Sequence, residues 1–132
     1  MSDRGPAGAD FVQLDLKTTA LLFDVDGTLI DIAPRPDAVV VPDDLRQSLA
    51  RLAKATDGAL ALVSGRPIAD LDRLFAPLVL PAIGGHGAET RETPAQAVET
   101  AAPLLEALRR ELAAARAIDP GILIEDKGYS LA

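Results

Sequence analysis

A chain of 132 residues, 48% of them hydrophobic, is long enough for one ordinary domain with a buried core. It has no cysteine, which excludes disulfides, thiolate metal sites and a cysteine nucleophile, and fits the cytoplasm. The net charge of −7, with no basic patch, excludes a nucleic-acid partner, and no apolar run approaches the roughly 18 residues of a membrane span.

Residues 1–10, rich in Gly, Ala and Asp, are expected to form a disordered tail and lack the apolar stretch of a signal peptide. Residues 11–16 alternate and read as a short lead-in, and the first strand is expected over 17–24. Its apolar run, Ala20 to Phe23, drives into Asp24 and Asp26, followed by Gly27, Thr28 and further apolar residues. Two carboxylates this close are costly unless a cation or a proton compensates them. That points to Mg²⁺, which takes one or two carboxylates together with waters and substrate phosphate. The same carboxylates can serve as nucleophile and acid/base. A plain hairpin with an Asp-Gly turn remains the alternative. An EF-hand does not fit, because its glycine belongs at position 6 and Gly27 falls at position 4 counted from Asp24.

Two prolines mark a loop at Ala33-Pro34-Arg35-Pro36-Asp37. A helix is expected from Asp43 as N-cap, with Leu45, Leu49, Leu52 and Ala53 as its apolar stripe and Asp57-Gly58 as its end. A second apolar run, 59–63, ends in Ser64-Gly65-Arg66-Pro67. Pro67 suits the first turn of another helix, striped by Ile68, Leu71, Leu74 and Phe75. The order strand, helix, strand, helix predicts a parallel sheet with right-handed crossovers. The turns at Asp24 and Ser64 then share the sheet edge where such folds bind ligands. The Ser64 hydroxyl and the amides after it make an anion site at a helix N-terminus; a capping serine beside a surface Arg66 is the alternative.

Residues 78–83 read as a short third strand, although Pro81 counts against a central position. Gly84-Gly85-His86-Gly87-Ala88-Glu89 sets three glycines around the one histidine, a pattern for close backbone approach, with His86 read as structural. Residues 91–103, with Pro94 and Pro103, read as a polar connection. Leu104, Leu105, Leu108 and Leu112 mark a helix that Asp119-Pro120-Gly121 breaks. A strand starting at 122–124 is expected to run through Glu125 and Lys127, placing both on one face; ordinary surface charges are the alternative.

Asp24-Val25-Asp26-Gly27-Thr28-Leu29 resembles the first signature of the haloacid dehalogenase (HAD) superfamily of phosphatases. The resemblance implies that Asp24 is a nucleophile forming an aspartyl-phosphate and Asp26 the general acid/base. Ser64-Gly65-Arg66 resembles the second signature as found in sugar-phosphate phosphatases, which implies that these residues hold the phosphoryl group. His86-Gly87-Ala88-Glu89, and Glu125-Asp126-Lys127-Gly128 with the Tyr-Ser-Leu-Ala after it, resemble the trehalose-6-phosphate phosphatase branch. In that branch the cap Glu and Lys reach the sugar hydroxyls, here Glu125 and Lys127. The resemblance spans roughly residues 18–132.

The fold so implied is α/β. It is a HAD-like Rossmannoid parallel sheet with helices on both faces, with the beginning of an inserted α/β cap. The divisions expected are a tail and lead-in over 1–16, a partial core over 17–98 and the start of the cap over 99–132. The implied reaction is hydrolysis of trehalose 6-phosphate, a phosphorylated disaccharide, to trehalose and phosphate. Mg²⁺ would be held by the Asp24 carboxylate and the Asp26 carbonyl, with Gly27, Thr28, His86 and Gly87 shaping the site. The two later family signatures, a phosphate-neutralising cation and the remaining metal acids, are not found, so a truncated and weakly active or inactive fragment is expected. Another HAD sugar-phosphate phosphatase or phosphosugar mutase is the nearest alternative. A non-catalytic domain binding a phosphosugar or a protein is the alternative from another class.

Overall fold

The computed structural model describes residues 14–32, 39–119 and 121–131. The tail over 1–10 and the two-proline loop lie outside the described residues. Five strands form one sheet in the order β1 (Leu21–Asp24), β2 (Leu60–Val63), β3 (Ala82–Gly84), β4 (Glu89–Arg91) and β5 (Glu99–Thr100). Helices α1 (Asp43–Ala55) and α2 (Ile68–Phe75) connect the first three strands, and α3 (Glu106–Ala113) follows the last. No described helix is long and apolar enough to cross a membrane.

β1 and β2 pair in parallel, with Leu21 beside Leu60 and Phe23 beside Leu62. β2 and β3 are also parallel. β4 and β5 are antiparallel additions, so the sheet is mixed where the sequence led us to expect a parallel one. A crossover to a parallel strand needs a dozen or more residues, and only the 3₁₀ turn Gly85–Gly87 and Ala88 separate β3 from β4. β5 falls where a polar connection was expected, and both its residues are exposed. β3 begins one residue after Pro81, which has no amide to donate but whose carbonyl accepts from Leu62 N at 3.0 Å.

The core lies on the Leu60, Leu62 and Ala82 face of the sheet, where Leu49 of α1 and Ile68, Leu71 and Phe75 of α2 are buried against them. Each such side chain contributes roughly 1.5–3 kcal/mol. Covering helices were expected on both faces; α1 and α2 both pack on this one. On the other face a groove of about 370 Å³ runs between Leu22, Ala61, Ile83 and Thr90.

The α1 N-cap is Pro42 rather than Asp43. Extended Pro42 starts the helix one residue early and puts Asp43 in the first turn, where it pairs with Arg46 at 2.6 Å. Asp57 and Gly58 end α1 with φ of 52° and 85°, and Gly58 N closes onto Ala53 O. α3 has no buried residue. Residues 122–125 form no strand; the segment instead closes a small turn through the Asp126–Leu131 bridge.

Candidate functional site

β1 and β2 end side by side, so Asp24 stands next to Val63 and the two polar turns meet. Beyond β1 the chain coils tightly. The carbonyl of fully buried Val25 accepts from the amides of Thr28, Leu29 and Ile30, and Gly27 sits at φ 82°. A side chain at that φ is strained, which accounts for the glycine. The turn leads away from the sheet and β1 pairs with β2 alone, so the hairpin alternative does not hold. Thr28 Oγ1 donates across the turn to Asp24 Oδ2 at 2.7 Å.

Beyond β2, Ser64 is 7% exposed and its Oγ accepts from Arg66 N at 3.1 Å. The Arg66 side chain turns back across the sheet edge to Asp26. It donates from Nε at 2.8 Å and from Nη2 at 2.7 Å, a two-pronged pair between residues 40 apart in sequence. These hydrogen bonds hold the Asp26 carboxyl below its ordinary value, and burial only partly opposes them. They raise Arg66 further above neutrality in turn.

Lys127 reaches this corner from far along the chain. Its Nζ donates to Gly65 O at 3.1 Å and lies 3.5 Å from Glu125, with the side chain 10% exposed. The result is a cleft of about 370 Å³ lined by Asp26, Gly65, Arg66, His86, Glu125 and Lys127, together with Pro67 and Asp70. Six expected site residues therefore line one cleft. Glu125 and Lys127 were expected to share the face of a strand; a turn brings them together instead. Asp24, Gly27, Thr28, Ser64 and Gly87 do not line the cleft, and Gly27 and Thr28 line a smaller one of about 180 Å³ beside it. His86 has φ 57° and lies against Gly65, where any Cβ would collide with the imidazole. That contact gives the Gly65 and His86 pair its spacing.

Sequence reasoning missed three contributors. Asp70 lines the cleft from the first turn of α2. Glu89 Oε2 accepts from Ile68 N at 2.6 Å, and Tyr129 OH donates to Glu89 Oε1 at 3.2 Å. The signal present was composition: Tyr129 is the one tyrosine of the chain, set among polar residues beside Lys127.

Among the described residues no group of three or more His, Asp or Glu is placed to hold a metal ion. A smaller donor set exists. No described residue donates a hydrogen bond to Asp24 Oδ1 or to the Asp26 carbonyl oxygen. Two uncommitted oxygens suit Mg²⁺, which keeps several waters and completes its shell with substrate oxygens.

The model of the trehalose-phosphatase family matches residues 22–132. A probable trehalose-phosphate phosphatase of Sinorhizobium fredii is 48% identical over 131 residues, covering 95% of this chain and 49% of that protein. The trehalose-6-phosphate phosphatase of Escherichia coli is 56% identical over 73 residues, 55% of this chain and 27% of the relative. The chain thus spans about half the length of the first relative and less of the second. Among solved structures, Aspergillus fumigatus trehalose-6-phosphate phosphatase superposes with a TM-score of 0.59 at 27% identity, over 85% of this chain and 43% of that one. A HAD-superfamily phosphatase from Bacteroides thetaiotaomicron, 22% identical with a TM-score of 0.54, shares the fold. With the family model matching all but the first 21 residues, this chain belongs to the trehalose-phosphatase family.

Proposed function

We propose that the cleft is part of a phosphomonoesterase site that hydrolyses trehalose 6-phosphate to trehalose and phosphate, a step of trehalose biosynthesis. The family match over 22–132 carries this reading. The cleft's chemistry supports it, with Asp26 and Arg66 lining it together with Glu125 and Lys127. Asp24 is the nucleophile and forms an aspartyl-phosphate. Asp26 protonates the leaving sugar oxygen, then takes a proton from the water that attacks the aspartyl-phosphate. In the structure Arg66 holds Asp26 ionised, the form that accepts a proton. Donating one first requires the guanidinium to part from it, and an arriving phosphate is the natural competitor for that guanidinium. Ser64, Gly65 and Arg66 bind the phosphoryl group at the start of α2, and Glu125 and Lys127 bind sugar hydroxyls. The Asp24 carboxylate and the Asp26 carbonyl hold Mg²⁺, which when bound polarises the phosphoryl oxygens and offsets their charge. Residues 17–98 belong to the core of this reading and 99–132 to the start of the cap.

Removing one pre-organised electrostatic group from such a site costs about 10²–10³ in rate. The test is Mg²⁺-dependent phosphate release from trehalose 6-phosphate, alongside thermal stabilisation by the same compound. Release that vanishes in Asp24→Asn, or stabilisation that vanishes in Arg66→Ala, supports the site. A folded chain showing neither sinks it. Stabilisation without release favours a phosphosugar-binding domain.

A further inference from the structure

Residues 126–131 form a compact turn. Lys127 N donates to Ser130 O at 3.0 Å, and Gly128 N to Asp126 Oδ1 at 2.8 Å. Arg109 and Leu104 hold its outer side through Gly128 O, at 2.6 and 3.0 Å. Its inner side rests on the core. The Tyr129 ring lies on Gly85, where a Cβ would overlap the hydroxyl and stand 2.9 Å from Cε2. The hydroxyl donates to Glu89 Oε1, and the other oxygen of that carboxylate accepts from Ile68 N, the first residue of α2. One carboxylate thus joins the turn to the helix that follows Arg66.

We propose that Tyr129, Glu89 and Gly85 form a latch that seats this turn on the core and thereby fixes Lys127 over Gly65. Tyr129 and Glu89 are positioning residues. Lys127 is two residues from Tyr129 and has a long flexible stem, so seating the ring limits where the ammonium group can go. Gly85 accommodates the ring because it has no side chain. The consequence for sugar recognition rests on the function proposed above; the latch itself does not.

The chain has one tyrosine and no tryptophan, so tyrosine spectroscopy reads Tyr129 alone. Among the described residues, the charges that act on it are acidic: Glu89 from β4, which it touches, Glu125 from its own segment and Asp70 from α2. Burial chiefly, and then these charges, push its hydroxyl above the ordinary tyrosine value. Absorbance titration should find Tyr129 ionising at higher pH than free tyrosine. Glu89→Leu should bring it back towards the ordinary value. Amide hydrogen exchange supplies the second arm. Tyr129→Phe removes only the hydroxyl and should speed exchange across 126–131 by about fivefold, the size of one net hydrogen bond. Exchange in α1 and β2 should not change. Glu89→Gln keeps an acceptor and should preserve slow exchange, whereas Glu89→Leu should not. Unchanged exchange in Tyr129→Phe, or an ordinary titration in the parent chain, overturns the latch.

Ligand binding separates the latch from the function. Tyr129→Phe should weaken trehalose 6-phosphate binding several-fold and leave inorganic phosphate binding unchanged. Equal weakening of both ligands overturns the positioning role. A parent chain that binds neither ligand while the exchange and titration results hold leaves the latch standing and removes the phosphatase reading.

Discussion

The two faces of the central sheet carry similar side chains in opposite surroundings. On one, Leu60, Leu62 and Ala82 are buried beneath α1 and α2. On the other, Leu22 is 68% exposed in the middle of β1, and Ala61 and Ile83 line an open groove. Alternation along a strand decides which residues share a face. What a side chain contributes depends on what lies over it. The contrast reaches the site too, because Asp24 alternates with Phe23 and so faces the same side as Leu22, the uncovered one.

Paired truncations test this contrast most strongly. Phe75, 1% exposed, fills the covered face, and Phe75→Ala should cost about 3–5 kcal/mol. Leu22→Ala should stay within about 0.5 kcal/mol. Urea denaturation reads both, and similar losses would mean that the open face is covered in solution. Arg91 is next. It is 6% exposed, and its guanidinium grips Asp72 at 2.8 and 2.6 Å and Leu80 O at 2.8 Å, tying β4 to α2. Arg91→Ala should cost about 2–3 kcal/mol, because the Leu80 carbonyl and Asp72 lose their donor. Arg91→Lys should recover less than half of that, since an ammonium cannot span the same acceptors. Full rescue by lysine would show that charge alone matters there.

Some of this was readable in sequence. Two apolar runs ending in polar turns, with an amphipathic stripe between them, fix a parallel β1–β2 pair, and that pair brings Asp26 and Arg66 together across 40 residues. The pattern is legible because each run is long enough to be buried and each turn is marked by glycine. β4 and β5 were not readable. They are two or three residues long, and an edge strand of Glu and Thr shows no apolar alternation. The apolar triplet 122–124 misled for the converse reason. Its period suits a strand, yet Leu123 is 84% exposed and finds no pairing partner. Arg91 illustrates a third limit, because a charged residue reads as surface until its long-range acceptors are known.

Leu22→Lys probes the open face at smaller scale. The side chain has nothing above it, so stability should change by less than about 0.5 kcal/mol. Binding of a hydrophobic dye should fall, because the groove loses its largest exposed apolar group. Unchanged dye binding would place the accessible apolar surface elsewhere, for instance at α3, where Leu108, Leu112 and the N-cap Leu105 are exposed.

The smallest expected effect is electrostatic and belongs to the sheet edge where the two faces meet. Arg66 lowers the Asp26 pKa, so the folded state favours the ionised carboxylate. The sign follows from linkage: the pair stabilises above the ordinary carboxylate value of about 3.9, and this is lost as pH falls through the lower folded value. Both side chains are partly exposed, so screening limits the contribution to about 1 kcal/mol or less. Asp26→Asn in chelator-treated protein should therefore flatten the acid limb of stability below about pH 4 and leave Phe75→Ala as costly as before. An unchanged acid limb would show that Asp26 and Arg66 are not paired in solution, and the carboxylate would then be free to carry a proton without Arg66 having to move.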